Sequence, residues 1–205
     1  MLEGIFKVLS DAIFYNLIRE DRYLLFVNGF KVSIQLTVFA ALIGVAIGLL
    51  MAISKLTNNR ILNRIATAYT DVIRGTPSVV QLIVIYYAIL GSSHLPKILV
   101  ASIAFGINSG AYVTELIRAG ILAVDKGQME AARSLGLSYY QSMRYVIVPQ
   151  AIKNILPALV SEFIVLLKET AIAGYIALDD LTRAGTIVRG RTFDPYTPFI
   201  LVALI

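Results

Sequence analysis

Residues 130–138 read Glu-Ala-Ala-Arg-Ser-Leu-Gly-Leu-Ser and residues 146–149 read Val-Ile-Val-Pro, a section with polar residues between long apolar runs. Glu130 to Leu135 are good helix formers, and Gly136 stands where a helix can end, because glycine accepts the left-handed conformation of a C-terminal cap. Ser138 opens a second helix, with Gln141 placed to complete a capping box. The sequence therefore predicts a helix, a glycine turn and a second helix, with a basic face of Arg133, Arg144 and Lys153.

The same stretch resembles the cytoplasmic signature of membrane subunits of binding-protein-dependent ABC importers. That signature is Glu-Ala-Ala, three residues, Gly, nine residues, Ile, any residue and Leu-Pro. Glu130, Gly136 and Pro149 stand at matching positions, and Val146 and Val148 keep the apolar, branched character of the Ile and Leu that they replace. The segments 74–77 (Arg-Gly-Thr-Pro) and 138–141 (Ser-Tyr-Tyr-Gln) are similar to the polar amino acid branch of that family, and the similarity runs from about residue 29 to residue 175.

The composition is that of an integral membrane protein, because 58% of the residues are hydrophobic and only 15% are charged. We expect an all-α membrane protein, a bundle of about five transmembrane helices with no appended soluble domain. The net charge of +5 does not indicate a nucleic-acid partner, because the basic residues flank apolar runs. The sequence contains no cysteine, and its single histidine, His94, cannot form a His-based metal site alone.

The first 31 residues are predicted to form an amphipathic N-terminal segment on the membrane surface, and residues 32–205 a single permease domain with a coupling loop at about 125–150. Charges at Glu3, Lys7 and Asp11 interrupt any uniform apolar core, so a cleaved signal is not expected. The same charges recur every four residues, with apolar residues around the rest of the helix. Residues 19–22 end the segment.

The apolar runs predict where the chain crosses the membrane. Val32 to Ser54 is uncharged and exceeds the roughly 30 Å hydrocarbon core, and Gly44 and Gly48 within it predict close packing against an unassigned helix. A helix along the cytoplasmic edge follows, and Thr76 as N-cap with Pro77 at the first helical position starts the second span. We expect later spans at 97–121 and 154–178, and a fifth that begins at residue 196 and continues beyond residue 205.

Polar residues within these spans are candidate substrate ligands, because burying a charge at membrane depth costs at least about 2.5–3.5 kcal/mol. Asn108, Tyr112 and Glu115 share one helical face, as do Glu162 and Glu169. Three acids against one internal base, Lys168, favour a cationic ligand such as an arginine-, lysine- or histidine-like amino acid. The full predicted substrate set is Gln81, Asn108, Tyr112, Glu115, Glu162, Lys168, Glu169 and Thr170.

Each of these features also has a simpler structural interpretation. Glu115 could pair with Arg118 near the membrane interface, while Lys168 and Glu169 could pair with each other or mark a helix break near the outer surface. The stretch after residue 125 could be two amphipathic helices packed on the base of the chain's own bundle. The spacing of the signature is what favours docking to another protein.

The resemblance implies partners that supply the energy and the substrate. A separate ATPase subunit, which holds ATP and Mg²⁺, would bind the coupling loop; this chain would bind no cofactor or metal. A second permease subunit, identical or a close paralogue, and an extracytoplasmic binding protein would complete an importer in the cell membrane that works by alternating access. The loop would be cytoplasmic and the N-terminus outside. The coupling residues implied are Glu130, Ala131, Ala132, Arg133, Leu135, Gly136, Leu137 and Ser138.

Two other classes of function remain open from the residues alone. A self-contained secondary transporter could use Glu115, Glu162 and Glu169 as a proton relay. A non-transporting scaffold would use the internal charges structurally. An enzyme is the least favoured class, because the sequence contains neither a phosphate-binding Gly-x-x-x-x-Gly-Lys-Ser/Thr motif nor a recognisable nucleophile and base set.

Overall fold

The computed structural model describes residue 7 and residues 10–205, and within these residues the chain is helical with no strand. The predicted all-α membrane class is confirmed. Residues 1–6, 8 and 9 of the predicted N-terminal amphipathic segment, which include Glu3, lie outside the described residues. A π-helical segment, Phe14–Ile18, and a short 3-10 turn, Arg19–Asp21, lead into the first long helix.

From residue 23 to residue 205, nine α-helices follow in chain order. They are α1 Tyr23–Leu56, α2 Arg60–Arg74, α3 Ser78–Ile83, α4 Lys97–Leu122, α5 Lys126–Ser134, α6 Tyr139–Ser142, α7 Val148–Glu169, α8 Leu181–Thr192 and α9 Thr197–Leu204. A π-helical turn, Val84–Ile89, extends α3, and another, Met143–Ile147, joins α6 to α7. A 3-10 helix, Thr170–Ile176, follows α7.

Two of the described helices, α1 and α4, are long and apolar enough to cross a membrane. The pair Arg60–Arg74 and Ser78–Ile89 would be a third span if counted together, although it is bent by 105°. The helix α1 begins nine residues before the predicted Val32, so the predicted boundary between residues 31 and 32 falls inside it. The predicted fourth span is α7, which is not in this group, and the predicted fifth begins with the eight residues of α9.

The helices α1 and α4 form the centre of the bundle, because glycines let them approach closely. A Cβ added at Gly48 would lie 2.5 Å from the Val113 side chain, and one at Gly44 would lie 3.1 Å from Ser109. On α4, a Cβ at Gly106 would lie 2.6 Å from the Ile43 side chain. The predicted close packing at Gly44 and Gly48 is therefore confirmed, and the packing partner is α4.

The start of α3 differs from the prediction by one residue. Pro77 is the N-cap and Ser78 the first helical residue. The Thr76 hydroxyl donates back to the carbonyl oxygens of Val72 and Ile73 at 3.0 and 3.3 Å, and its oxygen accepts from the Gln81 side-chain amide at 2.6 Å. It therefore closes the end of α2, and no backbone N–H of Ser78–Ile83 donates to it. The assignment of Thr76 as the N-cap was wrong for this reason.

The segment before α8 is fixed to α1. The backbone N–H of Leu181 donates to the Ser33 hydroxyl at 3.2 Å, and a Cβ at Gly29 would lie 2.7 Å from the Asp180 carbonyl oxygen. Asp180 is fully buried and caps α8 by accepting from the N–H groups of Thr182 and Arg183. Burial raises the pKa of the Asp180 carboxyl, although these hydrogen bonds oppose the rise.

Candidate functional site

Two polar contacts cross the middle of α4 and join it to the helices on either side. The Asn108 side chain donates to Gln81 on α3 at 2.9 Å, and the Gln81 amide donates to the Ile73 carbonyl oxygen at 2.7 Å. The neighbouring Ser109 hydroxyl donates to Glu162 on α7 at 2.8 Å. The structure thus brings Gln81, Asn108 and Glu162 to one level of the bundle, as two separate contacts.

One helical turn further along α4, Tyr112 contacts a cation. The Arg74 guanidinium, at the end of α2, lies 5.3 Å from the centre of the Tyr112 ring. At this distance a guanidinium is attracted to the negative face of the ring. Tyr112 is 37% exposed, and within residues 10–205 its hydroxyl makes no hydrogen bond to Asn108 or Glu115.

Glu115 lies deeper towards the loop that follows α4, and two bases contact it. Arg118, three residues later, binds one carboxylate oxygen at 2.8 Å, as the simpler interpretation of the sequence proposed. Lys55, from the end of α1, donates to the other oxygen and also to the Thr70 hydroxyl at 2.7 Å. The carboxylate is therefore neutralised within the chain. A substrate role for Glu115 stays a prediction, and the expectation of a single internal base did not include Lys55.

The last three predicted substrate residues lie where α7 ends. No ion pair within 4 Å joins Lys168 and Glu169 in the described part of the chain, but the helix does change to a 3-10 helix at Thr170. Thr170 is buried and its hydroxyl donates to the Leu167 carbonyl oxygen at 2.8 Å. Lys168 and Thr170 line a mainly apolar groove of about 280 Å³ beside Phe30 of α1. The eight predicted residues therefore lie at several levels and not in one pocket.

Two residues that bind the predicted acids were missed from the sequence. Ser109 is a small polar residue in an apolar helix, a pattern too common to single out. Lys55 follows the uncharged run directly, where a flanking lysine usually faces the lipid headgroups. Its pairing with Glu115 joins residues that are 60 positions apart, and only the packing of α1 on α4 shows it.

The loop after α4 has the predicted conformation. Gly136 has φ +87°, and the N–H groups of Gly136 and Leu137 bond to the carbonyl oxygens of Arg133 and Ala132 at 3.0 and 3.2 Å, which closes the end of α5. Ser138 and Gln141 form the capping box, with bonds of 3.2 and 2.8 Å. The helix, glycine turn and second helix are thus confirmed.

The same loop leaves large apolar side chains uncovered. Ala132 and Ile147 are buried, so one side of the loop packs against the chain itself. On the other side Leu135 is 85% exposed, and Tyr139 and Tyr140 are 63% and 70% exposed. Helices that served only to cover the base of their own bundle would turn these side chains inwards. The loop instead presents an apolar patch rimmed by polar groups, which marks an interaction surface.

An all-helical membrane bundle with polar contacts between its helices and an exposed helix-turn-helix loop is the architecture of a polytopic membrane protein. Residues 44–205 match the family described as "Binding-protein-dependent transport system inner membrane component". The chain belongs to this family of transmembrane permease subunits.

Similar proteins support the same assignment. The chain is 43% identical over 180 residues to a putative glutamine transport system permease protein, GlnP, of Rickettsia conorii, covering 86% of this chain and 82% of the relative. It is 40% identical over 180 residues to the arginine transport system permease protein ArtQ of Bacillus subtilis, covering 87% and 82%. A crystal structure of an amino acid ABC transporter with histidines is 48% identical, with a TM-score of 0.83 over 89% of this chain and 86% of that one.

Proposed function

We propose that this chain is the transmembrane subunit of an ATP-driven importer that carries a polar amino acid across the cell membrane by alternating access. The observation that supports the proposal most is the loop after α4. It combines the Glu-Ala-Ala signature, a glycine turn and the uncovered side chains of Leu135, Tyr139 and Tyr140. A partner that seats on this patch would hold the loop through both of its helices.

The partner that we assign to the loop is an ATPase subunit, because the chain has no phosphate-binding motif of its own. ATP and Mg²⁺ would be held there. A second permease subunit would face this one, and an extracytoplasmic protein would deliver the amino acid. This assignment puts the loop in the cytoplasm and the start of the chain outside.

For the substrate we propose a basic amino acid, recognised through Glu162. Glu162 is half-buried, and only one of its carboxylate oxygens has a hydrogen-bond partner among the described residues, the Ser109 hydroxyl. Glu115 contacts two bases, whereas no base lies within 4 Å of Glu162 in residues 10–205. A half-buried carboxylate without a countercharge attracts an ammonium or guanidinium group. The glutamine and arginine permeases among the relatives both carry polar amino acids by name.

Reconstitution of the complete importer in liposomes tests this proposal. The chain is placed in liposomes with its ATPase subunit, permease partner and binding protein, and uptake of labelled arginine and glutamine is measured with and without ATP. We expect uptake only with ATP and only with the ATPase subunit present. A secondary transporter would instead carry amino acid uphill in liposomes that contain this chain alone, and that result would overturn the proposal.

A further inference from the structure

A polar cavity lies between α1, α2 and α4, at the end of the bundle next to the loop. It is an open cleft of about 390 Å³, within the range of small-ligand sites. The side chains that line it are almost all charged or polar, unlike those of the groove beside Lys168. They include Lys55, Thr67, Asp71, Arg74, Glu115 and Arg118.

Most of the charge in this cleft is already paired. Glu115 binds Lys55 with one carboxylate oxygen and Arg118 with the other, and Lys55 also donates to Thr70. These groups join α1, α2 and α4 and form the wall of the cleft. They have little capacity left to bind a ligand.

Two opposite charges in the cleft are not paired. Within the described residues no base lies within 4 Å of the Asp71 carboxylate, and no acid lies within 4 Å of the Arg74 guanidinium, whose recorded contact is the Tyr112 ring. Both side chains are exposed. They are three residues apart on α2, so they lie on the same side of that helix. The cleft therefore offers one free anion and one free cation beside each other.

We propose that this cleft is a binding site for the backbone groups of a free α-amino acid, in which Asp71 binds the α-ammonium and Arg74 the α-carboxylate. An α-amino acid carries its ammonium and carboxylate on one carbon, and a guanidinium binds a carboxylate with two parallel hydrogen bonds. The cleft is open and, among the residues that the structure describes, holds no further unpaired charge for a side chain. Amino acids with different side chains should therefore bind alike.

The proposal rests on the proposed function only in that the ligand is an amino acid. It differs from the Glu162 contact in its place and in its chemistry. Ser109, which binds Glu162, and Glu115, which lines the cleft, are six residues apart on α4, or about 9 Å along its axis. Glu162 would select a cationic side chain, whereas Asp71 and Arg74 would bind the α-ammonium and the α-carboxylate that all amino acids share.

The chain has no cysteine, so a single introduced cysteine reports on the cleft alone. Thr67→Cys puts a thiol of nearly the same size in the wall. In the complete complex with its ATPase, its alkylation by a water-soluble maleimide is followed by mass spectrometry of this chain. We expect glutamine, arginine and alanine to slow alkylation at least tenfold at saturation. Agmatine, which lacks the carboxylate, and N-acetylglutamine, which lacks the ammonium, should not protect.

Two substitutions and a control complete the test. In the Thr67→Cys background, Arg74→Gln and Asp71→Asn should each raise the half-protecting concentration by about tenfold or more, whereas Arg60→Gln, an exposed arginine on the same helix that does not line the cleft, should not. Asn58→Cys, exposed and outside the cleft, should react at the same rate with and without amino acid. If Thr67→Cys does not assemble, Asn63→Cys reports from the same wall.

The outcomes separate this proposal from the proposed function. If the wild-type complex imports amino acids but no amino acid protects the thiol, or agmatine protects as well as arginine does, the cleft site is wrong and the importer stands. If protection is seen but is unchanged by Arg74→Gln and Asp71→Asn, the assigned residues are wrong. If the complex neither binds nor imports amino acids, both proposals fall.

Discussion

Glu162 and Glu115 look alike in the sequence, as acids within apolar helices, but their surroundings differ. Among the described residues, Glu115 is held by Lys55 and Arg118, whereas Glu162 is held by the Ser109 hydroxyl alone. Removing the charge of the first carboxylate leaves two bases without their partner, whereas the second has no countercharge and can receive one from a ligand. The two residues should therefore respond differently to the same substitution.

We expect Glu162→Gln to lower the affinity for arginine by about tenfold or more and to change that for glutamine little, because only arginine needs a countercharge. Binding of both labelled amino acids to the complete complex in nanodiscs measures this. Equal losses for the two ligands would contradict a role for Glu162 in charge recognition.

Glu115→Gln should lower the stability of the folded chain. It leaves Lys55 and Arg118 beside an uncharged partner, and the cost of a weakened buried contact is roughly 1–3 kcal/mol. Thermal unfolding in detergent should show a lower midpoint for Glu115→Gln than for Glu162→Gln. The reverse order would mean that the Lys55 and Arg118 contacts add no stability.

Asp194, between α8 and α9, provides a test that depends on pH. Burial opposes its ionisation, but hydrogen bonds from Thr197 and Tyr196 and from the Asn16 side chain outweigh burial and lower its pKa to about 2. The usual value is about 3.9. Because the folded state favours the ionised form, its contribution to stability is complete above about pH 4 and is lost as the pH falls towards 2.

The matching measurement compares the wild type with Asp194→Asn. We expect the wild type to be the more stable of the two at pH 5 to 7, by an amount that does not change in this range. The difference should shrink between pH 4 and pH 2.5, because protonation removes the charge that Asn lacks already. A difference that stays constant down to pH 2.5 would contradict the lowered pKa.

At the scale of single elements, the turn at Gly136 carries the loop between α5 and α6. A Cβ at Gly136 would meet nothing within 4 Å, so a substitution there acts only through the backbone, at roughly 1 kcal/mol for a φ of +87°. We expect Gly136→Val to reduce the stimulation of the ATPase by substrate severalfold, while the helices still insert. A normal stimulation would show that the turn is not needed for coupling.

Gly190 is the matched control for that variant. A Cβ at Gly190 also meets nothing within 4 Å, but Gly190 lies inside α8 with ordinary helical backbone angles. Gly190→Val should leave ATPase stimulation near the wild-type value, since it changes the same side chain without a strained turn. A loss as large as that of Gly136→Val would point to a general effect of valine on assembly.

The contact between α1 and α4 is the second element that can be tested. A Cβ at Gly48 would meet the Val113 side chain at 2.5 Å, so Gly48→Ala forces the two helices apart or moves Val113. We expect a loss of about 1–3 kcal/mol, which is typical of overpacking, as a lower unfolding midpoint. Ala46→Leu, exposed on the same helix, should have little effect.

For the whole molecule, the sequence predicted what depends on local pattern. The helical membrane class, the glycine turn, the capping box and the close approach at Gly44 and Gly48 follow from residue type and spacing, and the structure has them all. The Thr76 cap failed because its hydroxyl is held by the end of α2 and by the Gln81 side chain, and sequence spacing cannot rank these contacts against capping.

The outcome for the predicted substrate residues shows that sequence spacing does not give the level of a residue along the bundle. Residues on one helical face share a direction, but their level along the bundle is set by the partner helix. Asn108 and Glu115 lie on one face of α4, yet one bonds to Gln81 and the other to Lys55. These partners lie on α3 and α1. The packing of the helices determines at which position along α4 each of them makes its contact.

The π-helical turn Met143–Ile147 leaves no break between α6 and α7, since its end residues keep right-handed helical angles. Tyr139, on the exposed patch, and Glu162, at the level of Ser109 on α4, thus belong to one helical rod roughly 45 Å long. A sideways displacement at Tyr139 must therefore move Glu162, about 35 Å further along this rod, unless the rod flexes. The rod can bend at the π-helical turn and at Pro157, because the missing N–H of Pro157 removes one helical hydrogen bond. The resistance of these two points to bending determines how much of a displacement at Tyr139 reaches Glu162.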